Sequence, residues 1–413
     1  MSDTVIIGGG IAGVVAAIAL RKAGIRATVY ESRPPGAADA GAFLVLFAGG
    51  LEALRSVDAH RAVLARSFPA HRVHVVGSTG RRLGSRTLAG DGGGAPAPRT
   101  LRRAALDEAL REEAARRGVR IEYGKRFVAA HIAPDGRIVA SFADGGRAQA
   151  DVLIGADGIH SVTRKFIDAA SPRPRYTGLN TVCGYTRDLA AVPEPSRPEP
   201  GAYTMVCGKQ AFFGCTVAPD GAIWWFAHVP GPELPRTGPP SGTGTLPAPG
   251  PATTPEQWRG QVAGYFDDDG TAGGIVRAAA DVAVGSAYDL AATPAWSGDA
   301  MVLIGDAAHA SAPGAAQGAS LAVEDAVVLA TCLRDLPARR AFAAYERLRR
   351  PRVERVAAAG AAMARRTAPG RVGRVLRDTL LTRRLDRGGA GADDWLTGYR
   401  VDWDGPVRDR PLR

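Results

Sequence analysis

A chain of 413 residues, 46% hydrophobic and 23% charged, can form one large α/β unit with an inserted layer, or two to three packing units. That balance excludes disorder throughout, and 52 glycines and 29 prolines without a triplet period exclude collagen. The net charge is +11, almost all the positive charge is arginine spread along the chain, and the pairs Arg102-Arg103, Arg116-Arg117 and Arg349-Arg350 fall in helix-like patterns near acids, so solvated helix faces are expected rather than a nucleic-acid surface.

The chain opens with Met1 to Thr4 leading directly into Val5-Ile6-Ile7, with an acid at Asp3 and no basic start, unlike a secretory leader. Apolar runs such as Val14 to Leu20 fall far short of the roughly 20 residues that span a bilayer. No transmembrane segment and a cytoplasmic location are therefore expected. Thr4 to Ile7 reads as a strand, Val14 to Ala23 as a helix stopped at Gly24, and Ile25 to Tyr30 as a second strand ending at Glu31, which makes a βαβ unit. His71 and His74 lie along a strand. Leu101 to Arg117 has helical spacing closed by Gly118, followed by a strand at Val119 to Tyr123. Val128 to Ile132 and Ile138 to Phe142 form a hairpin about the turn Pro134-Asp135-Gly136, and Asp151 to Ile154 is a buried strand.

Between Tyr176 and Tyr288 the pattern becomes that of an antiparallel sheet, with strands at Tyr203 to Cys207, Phe212 to Val217 and Ile223 to Val229. Pro230 to Pro255, made of Pro, Gly, Thr and Ser, reads as a mobile surface loop. Met301 to Ile304 returns to a buried strand. Helices follow at Leu321 to Leu333 and at Ala338 to Met363, the latter broken or bent near Pro351. Cys183, Cys207, Cys215 and Cys332 show no CxxC spacing and the seven histidines no HExxH, so neither a disulfide framework nor a metal site is expected.

Gly8, Gly10 and Gly13 make G-x-G-x-x-G between a strand and a helix, with the acid Glu31 at the end of the next strand, roughly 20 residues on. The first glycine permits the tight turn, the second admits a pyrophosphate, and the third lets helix pack on strand. The helix N-terminus then offers positive charge to the phosphates, and Glu31 accepts from ribose hydroxyls. Two further segments place an acid and a glycine after a buried strand: Gly155-Ala156-Asp157-Gly158 and Gly305-Asp306-Ala307-Ala308-His309. Taken alone, Asp157-Gly158 is also compatible with a plain turn, and Arg102 or Arg103 with a surface charge.

With these motifs in this order, the chain from Thr4 to Arg355 resembles the single-component (class A) FAD-dependent aromatic monooxygenases of the para-hydroxybenzoate hydroxylase type. The resemblance implies an α/β fold: a Rossmann-like FAD-binding domain from segments 1–70, 99–175 and 286–365, an inserted antiparallel-sheet substrate domain at 71–98 and 176–285, and a C-terminal helical tail at 366–413. It implies FAD contacts at Gly8, Gly10, Ile11, Ala12, Gly13, Glu31, Ser32, Arg33, Arg103, Asp157, Gly158, Gly305, Asp306, Pro313, Gly318 and Ala319. Asp306 would meet the ribityl chain, and the Pro313 carbonyl would stand beside the substrate. The stretch from Pro313 to Ala319, ahead of a helix, would aim an N-terminus at the charge of reduced flavin. Relatives often carry Gly where Ala316 stands and Pro-Asn where this chain has Ala48-Gly49. In that family NADPH or NADH reduces the flavin transiently, O2 adds at C4a, and the hydroperoxide oxygenates an electron-rich ring.

Tyr203, Met205 and Cys207 share one face of a strand, and Trp224, Phe226 and His228 one face of another, which makes them substrate candidates as well as candidate core. No paired Arg and Tyr for a small carboxylate is evident, which favours a larger, mostly apolar substrate of aromatic, indole or polyketide type. The Arg- and Ala-rich composition fits secondary metabolism, and a monomer or homodimer is expected. A reductase or oxidase of the same fold, or a flavin-bearing ligand-binding protein, are the competing functions.

Overall fold

The computed structural model describes residues 3–36, 43–88, 96–188, 190, 192, 194, 197–235, 254–266, 271–290, 293–310, 316–366, 371–386, 395 and 398–407. Five parallel strands form the first sheet, in the order Met301–Leu303, Val152–Gly155, Asp3–Ile7, Arg26–Tyr30 and Arg120–Glu122. Strand alternation gives Asp3–Ile7 two different neighbours. Ile6 joins the core made with helices Ile11–Lys22, Arg103–Arg116 and Gly318–Asp335, whereas Val5 and Ile7 pack on Phe127, Ile138 and Phe142 of an antiparallel sheet on the other face. Helix Ile11–Lys22 is buried from Ile11 through Leu20, as expected of the central helix in a layered α/β fold.

A second, seven-stranded sheet runs Asp281–Asp289, Arg175–Thr186, Ile223–Pro230, Phe212–Val217, Ala202–Cys207, Arg72–Val76, Arg82–Thr87. It is mixed rather than wholly antiparallel: Ala202–Cys207 pairs parallel with Arg72–Val76, a strand from a distant segment. One face carries Val182, Phe213, Trp225 and Ala227 against helices Pro255–Gly264 and Thr271–Arg277. The opposite face meets a small sheet of Phe43–Leu46, Arg99–Arg102 and Phe68–Pro69.

Two boundaries differ from the sequence expectation for physical reasons. Leu101 and Arg102 are strand, not helix, because Arg102 stays extended (φ −65, ψ 140) to pair with Phe43, and the helix starts at Arg103. Ala338–Arg366 continues through Pro351 without a break. Pro351 faces outward, while Arg349, Val353 and Val356 on either side are buried, so tertiary packing offsets the one lost backbone bond. The loop expected between Pro230 and Pro255 lies, for residues 236–253, outside the described residues. No helix among the described residues is long and apolar enough to cross a membrane.

Candidate cofactor and substrate site

The first glycine turn is defined by close contacts. Gly8 has φ 104, and a Cβ there would stand 2.4 Å from the Ala156 carbonyl oxygen; a Cβ on Gly13 would stand 2.0 Å from the Gly8 oxygen. Gly10 precedes helix Ile11–Lys22 with no side chain capping it and no acid in its first turn, so its positive end is left to an anion. Glu31, 4% exposed, accepts from Gly9 N at 2.7 Å on Oε2, and from Arg33 N at 2.9 Å and Ser32 Oγ at 3.3 Å on Oε1. Arg33 Nε lies 3.4 Å from Oε1. A carboxylate accepts about four hydrogen bonds, so Oε2 retains capacity for a ribose hydroxyl.

Asp157 serves its own chain. Its carboxylate accepts from Ser161 Oγ (2.6 Å), Val162 N (2.8 Å), Thr163 N (3.0 Å) and Thr163 Oγ1 (3.1 Å), holding the turn in which Gly158 has φ 73. Arg164, absent from the sequence-based candidates, links this turn to the Gly305-Asp306 segment by donating to the carbonyls of Ile159 (2.6 Å) and Ala307 (2.8 Å). Nothing in its local pattern marks that role.

Gly305 and Asp306 follow strand Met301–Leu303, and their geometry depends on a buried charge cluster. Asp325 Oδ2 accepts from Gly305 N at 2.9 Å and lies 2.5 Å from His309 Nε2, while Arg349 Nε donates to Oδ1 at 2.7 Å. Glu324 pairs with Arg349 Nη2 at 2.8 Å and with Arg352 Nε at 2.7 Å. Burial opposes ionisation of Asp325, but His309 and the Arg349 guanidinium outweigh it and hold its carboxyl at about 2. Burial pushes the Asp306 carboxyl up, against the charges of Arg103 and His309. This cluster is absent from the sequence-based expectations; the adjacent acids Glu324-Asp325 in a largely apolar helix are the signal that could have found it.

Helix Gly318–Asp335 points its uncapped N-terminus toward Asp306: a Cβ on Gly318 would lie 4.0 Å from Asp306 Oδ1, with the half-buried Ala319 beside it. Gln317 is 2% exposed and, among the described residues, neither polar atom of its side-chain amide has a partner. Ala316 takes φ 51, a left-handed conformation that suits glycine and strains a residue bearing Cβ. Gly49 is matched to the charge cluster, since a Cβ there would come within 2.3 Å of Glu324 Oε1. Pro313 lies outside the described residues. Two acid-free helix ends, an orphaned buried amide and the carboxylates Glu31 and Asp306 fit a dinucleotide with a ring that hydrogen-bonds at its edge, as FAD does.

The seven-stranded sheet brings the substrate candidates to one face. In register, Tyr203, Thr216 and Trp224 align across three strands, as do Met205, Gly214 and Phe226, and then Cys207, Phe212 and His228. This face opposes Phe43, whose ring lies 5.8 Å from Trp224 and 6.1 Å from Phe226. Tyr203 is hydrogen-bonded through its hydroxyl to Thr100 Oγ1, which ties the sheet to strand Arg99–Arg102. Burial lowers the His228 imidazole to about 4, so it is neutral at pH 7, and its Nδ1 shares a hydrogen bond with Thr181 Oγ1 at 3.0 Å. The Arg102 guanidinium lies 5.0 Å over the Tyr185 ring and 5.4 Å over Trp224. Burial raises the Tyr185 phenol to about 12, with Arg102 acting against it.

A family profile described as an FAD binding domain matches residues 1–225 and 274–359. The aurachin C monooxygenase/isomerase of Stigmatella aurantiaca is 30% identical over 349 residues, 83% of this chain and 84% of that protein. The 3-amino-4-hydroxybenzoate 2-monooxygenase PtmB3 of Streptomyces platensis is 33% identical over 367 residues, 85% of each chain. Klebsiella pneumoniae HpxO, solved with FAD and uric acid, superposes with a TM-score of 0.77 at 24% identity, covering 96% of this chain and 97% of its own, and so shares the fold.

Proposed function

We propose, from the premise that this chain belongs to the FAD-binding-domain family and is an FAD-dependent monooxygenase of aromatic substrates, that it consumes NAD(P)H to oxygenate a ring held between the flavin and the aromatic sheet face. When bound, FAD supplies the two-electron relay from the nicotinamide to O2. One oxygen atom enters the substrate, the other leaves as water, and NAD(P)H provides the electron pair.

The residues contribute binding, orientation and exclusion of water. Segments 1–70, 99–175 and 286–365 would hold the cofactor, 71–98 and 176–285 would cover the substrate, and 366–413 would form the tail. Gly8, Gly10, Ile11, Ala12 and Gly13 would present backbone amides to the pyrophosphate, with Glu31, Ser32 and Arg33 at the adenosine end. Arg103, Gly305, Asp306, Gly318 and Ala319 would meet the ribityl chain and ring, with Asp157 and Gly158 supporting them through Arg164. Tyr203, Met205, Cys207, Trp224 and Phe226 would form the aromatic and thioether wall that keeps bulk water from the reacting oxygen.

The observation that carries this reading is the alignment of rings on the sheet face turned toward Phe43 and strand Arg99–Arg102. The relatives named for aurachin C and 3-amino-4-hydroxybenzoate support an aromatic substrate and a role in secondary metabolism. The test supplies FAD-loaded protein with NADPH or NADH, labelled O2 and a panel that includes 3-amino-4-hydroxybenzoate. A substrate-dependent product carrying one labelled oxygen atom is expected, and a product without label would overturn the reading.

Asp306→Ala is expected to leave the protein folded but to weaken FAD retention by about tenfold or more, because a buried acceptor for ribityl hydroxyls is lost. Flavin absorbance per mole of purified protein measures this, and an undiminished value would remove Asp306 from the cofactor site.

A further inference from the structure

Near the end of the chain, three rings lie on cations of the helices that carry the buried charge cluster. Arg355 stands 3.9 Å from the Trp395 ring centroid, Arg352 and Arg349 stand 4.2 Å and 5.0 Å from that of Tyr399, and Arg334 and Lys22 each stand 5.4 Å from that of Trp403. Hydrogen bonds fix the placement: Arg352 Nη1 donates to the Trp395 carbonyl at 2.8 Å, Arg334 Nη2 to that of Gly405 at 3.2 Å, and Val407 N to Asp335 Oδ2 at 2.9 Å. Of the three rings, Tyr399 meets the two arginines that neutralise Glu324 and Asp325. Arg349 is fully buried and its Nη1 has no hydrogen-bond acceptor among the described residues, so the electron-rich face of Tyr399 is what this cation has beyond its two acids. The contacts continue toward the cofactor segment. Asp325 accepts from Gly305 N at 2.9 Å, and Gly305, with φ 58, leads directly into Asp306. Water admitted to the two guanidiniums would screen their pairing with the acids, and Asp325 would then hold Gly305 less firmly.

We propose that Tyr399 is a positioning residue for the cofactor: its ring covers Arg349 and Arg352, keeps their pairing with Asp325 and Glu324 out of water, and so fixes Gly305 and Asp306 where the ribityl chain binds. This rests on the reading that Asp306 meets that chain. Tyr399 acts through the buried charges, and it is the ring face rather than the hydroxyl that does so, because a guanidinium is attracted to the negative face of the ring. The C-terminal segment thereby couples its own docking to flavin retention, whereas Trp403, placed on Arg334 and Lys22, holds the segment down away from Glu324 and Asp325.

The test dialyses the FAD-loaded full chain to equilibrium against graded FAD, at a temperature where every variant is folded, and measures urea midpoints in parallel. Tyr399→Leu is expected to weaken FAD binding about tenfold, and Tyr399→Phe, which keeps the ring face, to stay within about twofold of the unmodified chain. Trp403→Leu is expected to lower the urea midpoint while leaving FAD affinity within about twofold. A tail that only stabilises the fold would lower urea midpoints without moving the dissociation constant of folded protein. An unchanged constant in Tyr399→Leu therefore overturns the proposal, as does equal weakening in Tyr399→Phe or in Trp403→Leu. Should Tyr399→Leu not fold, Tyr399→Met, which fills the space with a flexible thioether and no aromatic face, replaces it with the same expected and overturning results. Asp306→Ala, measured alongside, separates the proposal from its premise. Full FAD affinity there would remove the reading that Asp306 meets the ribityl chain, whereas weakening there with none in Tyr399→Leu would remove only the positioning role.

Discussion

Gly13→Ala is expected to give a protein that purifies without FAD and takes it up at least about tenfold more weakly than the unmodified chain. The added methyl would lie 2.0 Å from the Gly8 carbonyl oxygen and 3.3 Å from the Ala156 Cβ, and the first of these is backbone that no rotamer change can move. Helix Ile11–Lys22 would have to lift from the sheet, yet it is buried from Ile11 to Leu20, so lifting it opens the main core. Overpacking of this kind costs about 1–3 kcal/mol and displaces the helix N-terminus on which the pyrophosphate would sit. Gly24→Ala is the control. Gly24, unlike Gly13, has a left-handed φ, of 77°, but nothing lies within 4 Å of a Cβ there, so the change costs about 1–2 kcal/mol of backbone strain and leaves FAD in place. Flavin absorbance and equilibrium dialysis distinguish the two. Full flavin content in Gly13→Ala would show that the turn does not constrain the cofactor.

Asp325→Ala is expected to be the most destabilising single change, by about 3–5 kcal/mol, because it leaves the fully buried Arg349 with one acid in place of two. The same carboxylate holds Gly305 N, so loss of flavin should accompany the loss of stability. The damage should extend to the C-terminal segment, because the guanidiniums of Arg349 and Arg352 lie 5.0 Å and 4.2 Å from the Tyr399 ring centroid. The pH dependence has a definite sign. Asp325 is held at about 2 in the folded protein, below its value of about 4 in an unfolded chain, so its stabilisation is complete above about pH 4 and is lost as pH falls toward 2. The difference in urea midpoint between the unmodified protein and Asp325→Asn should therefore narrow through that window. A difference that stays constant down to pH 2 would mean that the cluster does not hold Asp325 ionised.

What the sequence determined by itself was whatever depends on short-range sterics and periodicity. Gly8, Gly10 and Gly13 stand at spacings that only a strand–turn–helix uses, and the acids Glu31 and Asp306 follow buried strands, so the cofactor class and the fold were legible before any coordinates. The alternation of Tyr203, Met205 and Cys207, and of Trp224, Phe226 and His228, likewise gave the two half-faces. Only the tertiary structure decided which face turns toward Phe43 and strand Arg99–Arg102, because that depends on helices Pro255–Gly264 and Thr271–Arg277 covering the other side. It also decided the fate of charges that look alike in sequence. Arg102, Arg164 and Arg349 share one chemistry, but one lies over two rings, one bridges two turns through carbonyls, and one neutralises a buried pair of acids. The distant partner lies 83 residues away for Arg102, 143 for Arg164 and 24 for Arg349, and the energy of a charge is set by the groups and the dielectric around it, which a local pattern does not carry.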